Sequence, residues 1–303
     1  MNNKKTIILA IVLVVLVALA YAYQGPVKKW QENFSKPTNF LGKVNVAKID
    51  KIIIAKNGET TLARQGDDWL VAGTKFKVGK TVMTEALDKL DQASKAGLEL
   101  VSTNKQKKSD FKTDSTGVTL KLYEGGKEIV KFVVGKVGAD YESSYIAQPE
   151  VDNTYLLKQV NLTYALDKDE WRDRTIFSGE ATKINKLRIQ QGSAQFSAAK
   201  SGDKWTTADS KKIPLDKEKV EKIISLMTGL TAAGIPTQDF RAAGLEKNQL
   251  IVEAAGESIK NVLMVGNDNG KGEFYAKRGD SDNIYLISKS DRDELNRKIE
   301  QLK

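Results

Sequence analysis

Alternation of apolar and polar residues dominates this chain, and helical spacing interrupts it at only a few places. Residues 51–55, 60–63, 118–123 and 128–134 carry the period of two expected of half-buried strands, with Gly125-Gly126 marking a hairpin between the last pair. Residues 145–148 and 154–157 continue the series. Met83, Ala86, Leu87 and Leu90 instead fall at i, i+3, i+4 and i+7, which puts them on one face of a helix. A short helix over residues 160–166 closes the set.

The whole pattern is then restated. Strands are expected at 186–190, 194–198, 249–253, 259–265, 274–277 and 284–287, a helix through Val220, Ile223, Ile224 and Met227, and a last helix within 290–302. Specific residues recur with it. Ile49-Asp50-Lys51-Ile52 returns as Ile184-Asn185-Lys186-Leu187, and Gly66-Asp67-Asp68-Trp69 as Gly202-Asp203-Lys204-Trp205. Lys75-Phe76-Lys77-Val78-Gly79 matches Lys212-Ile213-Pro214-Leu215-Asp216, Asp110-Phe111 matches Asp239-Phe240, and Val134-Gly135 matches Val265-Gly266. Residues 152–157 and 282–287 complete the series. The offset drifts between 135 and 137 and then falls to between 129 and 131, because the loop from Gly97 to Asp110 is eight residues longer than that from Gly234 to Asp239. Pairs in one order at a nearly constant spacing mark an internal duplication. The element order, β-β-(β)-α-β-β-β-β-α in each half, predicts an α+β fold of two tandem, similar domains, mainly antiparallel sheet with packed helices.

The amino terminus obeys neither period. Lys4 and Lys5 precede 18 uncharged residues, 6–23, which as a helix would reach about 27 Å, close to the roughly 30 Å hydrocarbon core of a bilayer. A membrane anchor is expected there, with Tyr21 and Tyr23 at its outer edge and the two lysines holding residues 1–5 in the cytoplasm. Ala20-Tyr21-Ala22 also fits a signal-peptidase site, so secretion after cleavage near Ala22 is the alternative. Either way the bulk of the chain is expected on the extracytoplasmic side of the inner membrane. The expected organisation is then a stub over 1–5, a span over 6–23, a tether over 24–43, one repeat domain over 44–177 and a second over 178–303.

Composition removes several chemistries. The chain has no Cys and no His, which leaves no Ser-His-Asp or Cys-His nucleophile, no zinc site of the common kind and no disulfide. Its 48 Lys and Arg exceed its 39 Asp and Glu by nine, with both signs interspersed. The densest basic run, Lys105, Lys107 and Lys108, is expected to be a solvated loop or a contact to an anionic lipid or polymer. With an apolar leader in front, nucleic acid is not expected as a partner. Residues 73–81, "GTKFKVGKT", imitate a phosphate-binding loop, but five residues separate their glycines where that loop has four. The second copy carries Asp216-Lys217-Glu218 at the corresponding place, which would repel a phosphate, so no nucleotide is expected. Gly79 and Asp216 are expected as helix N-caps.

The opening "I-x-K-I-x-I" at 49–54 and its counterpart at 184–189, the Gly-Asp-x-Trp turns, the "F-K-V" and "I-P-L" leads into a helix, Asp239-Phe240 before Gly244-Leu245, and the "D-N-x-Y-L" strands resemble a known bacterial family. It is the domain of unknown function numbered 4340, and the likeness covers roughly residues 44–303. Copy one departs from it where Lys112-Thr113 replaces Gly-Leu, so a different loop is expected there. The resemblance implies an auxiliary component of ABC transporters of the gliding-motility type, next to a permease and a larger auxiliary subunit. It carries no catalytic residues, cofactor or metal to this chain.

Candidate sites are therefore few. Trp69 and Trp205, matched beside their turns, are read either as indoles packed over the sheet or as partner contacts. Asn267-Asp268-Asn269-Gly270 with Glu273, and Asp280 with Asp282, lack the ligand spacing of an EF-hand and read as turns. The leading expectation is a membrane-anchored, extracytoplasmic, non-catalytic accessory protein. A binding module for an anionic envelope polymer or lipid head group is the first alternative, and a glycan hydrolase with paired carboxylates the second.

Overall fold

The computed structural model describes residues 12–17, 20–21, 38–56, 58–166, 170–247 and 249–303. The expected span over 6–23 lies outside the described residues except for 12–17 and 20–21, which are helical. Among the described residues no helix is long and apolar enough to cross a membrane. Most of the expected tether is likewise outside them, but its last residues are packed. Phe40–Lys43 form a one-turn 3-10 helix capped by Asn39, with Leu41 buried.

Contacts divide the chain into two compact units, Met1–Ala72 with Thr81–Glu170, and Gly73–Lys80 with Trp171–Lys303. Residues 73–80 and 171–177, read from sequence as part of the first repeat, thus pack with the second unit. The reason is local: Asp173 N donates to Lys77 O at 2.8 Å, and Phe76 joins the apolar cluster of Ile176, Phe177 and Tyr285.

Both units are mostly β with few helices. The first holds β1 (Lys51–Ala55), β2 (Glu59–Gln65), β3 (Asp68–Val71), α1 (Lys80–Lys95), β4 (Leu98–Ser102), β5 (Val118–Glu124), β6 (Lys127–Val137), β7 (Ser144–Ala147), β8 (Thr154–Leu157) and α2 (Leu162–Leu166). The second holds β9 (Ile184–Gln191), β10 (Ala194–Ser201), β11 (Lys204–Thr207), β12 (Pro214–Leu215), α3 (Lys217–Gly229), β13 (Leu250–Gly256), β14 (Lys260–Asp268), β15 (Glu273–Arg278), β16 (Ile284–Ser288) and α4 (Lys289–Leu295). Each forms an eight-stranded sheet, in the orders β3-β2-β1-β5-β6-β7-β8-β4 and β12-β11-β10-β9-β13-β14-β15-β16. Seven strands correspond one to one; β4 is added at one edge of the first sheet and β12 at the opposite edge of the second.

Inward-facing positions of the strands fill each core. In the first unit Ile52, Ile54, Leu62, Leu120, Leu122 and Phe132 are buried together with Met83, Ala86 and Leu90 of α1. In the second, Leu187, Ile189, Val252 and Leu263 meet Val220, Ile223, Ile224 and Met227 of α3. The expected helical faces are therefore the buried ones. Asp216 caps α3, its carboxylate accepting from Lys219 N at 3.2 Å, and Gly79 precedes α1 with its N–H given to Trp171 O at 2.9 Å.

The repeated Val-Gly pair has a steric cause. Lys136 N donates to Phe111 O and Asn267 N to Ala243 O, both at 2.9 Å, so a loop backbone crosses each strand at the glycine. A Cβ on Gly135 would stand 2.1 Å from Phe111 O, and one on Gly266 2.2 Å from Ala243 O. This crossing also corrects the match of Asp110-Phe111 with Asp239-Phe240. Phe111 is equivalent to Ala243, and Lys112, at φ 53°, stands where Gly244 has φ 67°. The following Thr113 and Leu245 are both 1% exposed, so the loop keeps its backbone despite the lost Gly-Leu. Left-handed backbone at a lysine costs about 1–2 kcal/mol.

Lys108 is not solvated as the basic run suggested. It is 6% exposed, and its ammonium donates to Gln148 O at 3.0 Å and Val151 O at 2.5 Å, tying down the turn between β7 and β8. Burial lowers its pKa.

Candidate functional site

The turn from β15 into β16 has the sequence Gly279-Asp280-Ser281-Asp282-Asn283, whose short polar side chains and glycine suit a reversal of the chain. Together with residues 75–77 and 173–178 it encloses a cleft of about 370 Å³ within the second unit.

Its floor is aromatic. Phe76 is 2% exposed and meets Tyr285 edge-on, with ring centroids 5.5 Å apart at 80°. The Arg172 guanidinium lies 5.4 Å from the Phe76 centroid, and that of Arg278 5.3 Å from Phe177. The rim is charged and internally paired. Arg278 forks onto Asp280 at 2.8 and 2.6 Å and donates to Ile176 O at 3.0 Å. Lys75 donates to Asp282 Oδ2 at 2.9 Å and Lys277 to Oδ1 at 3.3 Å.

These contacts fix protonation. Hydrogen bonds from Arg278 hold the Asp280 carboxyl below its usual range, and Lys75 and Lys277 do the same for Asp282. Burial raises the Tyr285 hydroxyl. At neutral pH both carboxylates stay ionised and the phenol stays protonated, an arrangement that suits holding a ligand more than moving a proton.

A second concave region lies over α4. A cavity of about 810 Å³ is lined by Lys222, Arg292, Arg297 and Lys298 with Asp293 and Glu294. A smaller one of about 260 Å³ shares Arg292, Asn296 and Lys298 with it. Glu294 lies between two cations, Lys222 at 2.9 Å and Arg297 at 3.0 Å. Burial pushes its pKa up, but those hydrogen bonds outweigh burial and hold it below the usual value. Gln191 Nε2 closes the end of α4 by donating to Asn296 O at 2.8 Å.

The two tryptophans are core residues. Trp69, in β3, is 7% exposed and Trp205, in β11, 2%. Trp205 sits opposite Lys200 and Leu215 in the ladder, with the Lys200 ammonium 5.8 Å from its ring, and its Nε1 has no hydrogen-bond partner. Neither lines either concave region. The Asn267–Glu273 stretch binds itself: Asn269 Oδ1 accepts from Lys271 N at 2.8 Å and Glu273 N at 3.2 Å, and Asp268 accepts from Gly270 N. Among the described residues no group of three or more acidic side chains could hold a metal ion.

Sequence reading marked Asp280, Asp282, Asn283 and Tyr285 as turn and repeat residues, and missed that they wall a cleft. The Lys75-Phe76-Lys77 motif, noted as a repeat marker and within the imitation phosphate loop, supplies the opposite wall. A model of the domain of unknown function DUF4340 matches residues 69–243 and again 205–303. The two matches begin at Trp69 and Trp205, the same motif position in each copy. No curated protein and no solved structure matches the chain.

Proposed function

The chain belongs to the DUF4340 family, and from that premise we propose that it is a membrane-anchored, extracytoplasmic, non-catalytic accessory protein. It works by binding and positioning, as a component of an ABC transporter system with permease and auxiliary subunits as partners. The observation that carries this reading is an 18-residue uncharged run behind Lys4 and Lys5, placed ahead of a duplicated sheet domain. The cleft adds support, because its carboxylates are held ionised by salt bridges, whereas a general acid needs a raised pKa. Co-purification of the full chain from solubilised membranes tests it. Recovery with permease and ATPase subunits is expected; recovery from membranes alone, or from the soluble fraction with its leader intact, would refute it.

The basic groove over α4 favours a second reading, an envelope module that holds an anionic polymer or lipid head group. Retention on phosphate-rich envelope polymer that collapses at high salt is its signature.

A further inference from the structure

The long loop after Gly97 contains β4, a five-residue strand whose counterpart in the second copy is a single bridge, Gly234 to Leu286. We propose that the outer edge of β4 docks an extended strand of another protein, apolar over Leu100 and acidic at the end that meets Lys105 and Lys107. The proposal rests on the binding role above and names one place where binding occurs.

β4 is the last strand of its sheet. Lys158 N donates to Gly97 O at 3.1 Å, and Leu98, Glu99 and Leu100 stand opposite Leu157, Leu156 and Tyr155. Bonding alternates along an antiparallel ladder, so Glu99 turns its backbone groups to β8 while Leu98 and Leu100 turn theirs outward. Among the described residues no backbone group pairs with them. Leu98 is buried, but Leu100 is 45% and Val101 37% exposed. Proteins commonly blunt such edges with lysine, proline or inward charge. β4 contains no Lys or Pro, its one charge, Glu99, is drawn to Lys158 at 2.6 Å, and its ladder becomes irregular only beyond Leu100.

The second copy covers the matching strand, β16, with a shorter segment. Ala233 N and Gly234 O pair with Leu286, both at 2.8 Å, and Pro236 follows. The Gln238 amide then takes both backbone groups of Ile284, accepting from its N–H at 2.7 Å and donating to its carbonyl at 3.1 Å. Residues 233–238 thus cover β16 where β4 covers β8, with Pro236 and a capping amide in place of a continued strand.

Charge selects the occupant. Lys105 and Lys107 are exposed just past β4. An acidic-ended strand is complementary, and strand addition to an open edge is an established mode of peptide capture.

The test uses the full chain and a labelled synthetic peptide, Glu-Glu-Val-Thr-Ile-Thr-Val-Thr, with a Lys-Lys version as control. Expected are at least tenfold slower hydrogen exchange at the Leu98 and Leu100 amides on peptide addition, and at least fivefold weaker binding of the control at low salt, a gap that closes at high salt. Leu100→Pro, which removes an outward-facing N–H and so spares the ladder, should weaken binding at least tenfold. Leu100→Lys keeps the N–H and checks the result if the proline variant unfolds. Unchanged β4 amides, or binding by both variants as tight as that of the unaltered chain, would overturn the proposal. So would a dimer abolished by Leu100→Lys, which assigns the edge to a second copy, or β4 amides protected without peptide until residues 22–37 are deleted. Membrane co-purification is scored separately: peptide binding at β4 without any membrane complex refutes the accessory role alone, and a membrane complex that survives Leu100→Lys refutes the edge alone.

Discussion

Removing the Phe76 ring tests whether residues 73–80 are held by the second unit through packing. The ring is 2% exposed, and Phe→Ala at a buried site costs about 3–5 kcal/mol. Phe76 walls a cleft of about 370 Å³, so the vacated space opens to water and the cavity contribution is small, which places Phe76→Ala near about 3 kcal/mol. Roughly 1 kcal/mol of that is the edge-on pair with Tyr285 and the Arg172 guanidinium over the ring. Phe76→Leu keeps most of the apolar area and should lose only that aromatic part. Two compact units do not guarantee one unfolding transition, so a single melting point is a poor gauge. Native-state hydrogen exchange at the amides of β14–β16 in the full chain reads the second unit directly. A loss of about 3 kcal/mol accelerates exchange there by roughly two orders of magnitude. A change below about 0.5 kcal/mol, or equal effects of the Ala and Leu variants, would show that Phe76 is not part of that core.

Three further outcomes follow from named contacts. Gly135→Ala and Gly266→Ala each force a Cβ to about 2 Å from a carbonyl oxygen, so each should destabilise its own unit by about 3 kcal/mol or more; exchange in β5–β6 and β13–β14 reports them separately. Glu294 has a depressed folded pKa, so its contribution is present above the unfolded value near 4.3 and is lost as pH falls through the folded one. Glu294→Gln should cost roughly 2 kcal/mol at pH 7 and flatten the acid limb of a urea stability profile, and an unchanged limb would refute the pairing. Lys108→Met strands the Gln148 and Val151 carbonyls and should cost about 1–2 kcal/mol, with faster exchange confined to the β7–β8 turn and its strands.

Much of the architecture was legible because it is local. Period-two runs located most strands, helical spacing located the buried faces of α1 and α3, and repeated motifs exposed the duplication before any contact was known. What escaped is non-local. The period of Leu98–Ser102 is short and lies inside a long polar loop, so only its pairing with β8 identifies β4 as a strand. Lys108 looked solvated because two carbonyls some 40 residues away neutralise the cost of burying it. The Asp-Phe match was misplaced because backbone conformation, left-handed at Lys112 and Gly244, was kept while residue identity was not. The cleft joins three stretches up to about 200 residues apart, and no spacing rule connects Phe76 to Tyr285.

The two copies keep one centre and change their edges, and the difference in constraint explains why. An interior strand is fixed on both sides by its ladder and on its inner face by the core. At Gly135 and Gly266 it is also fixed by a crossing backbone that leaves no room for a methyl group. Any drift there carries a steric cost of several kcal/mol, a large part of a domain's stability. An edge strand is held from one side only, so a loop can gain five strand residues, as at β4, or end in Pro236 and a capping amide, with little cost to the core. Under the proposed binding role, altered edges are altered binding surfaces. The duplication therefore supplies two platforms of one design that differ at their edges, and on that role binding by one copy does not predict binding by the other.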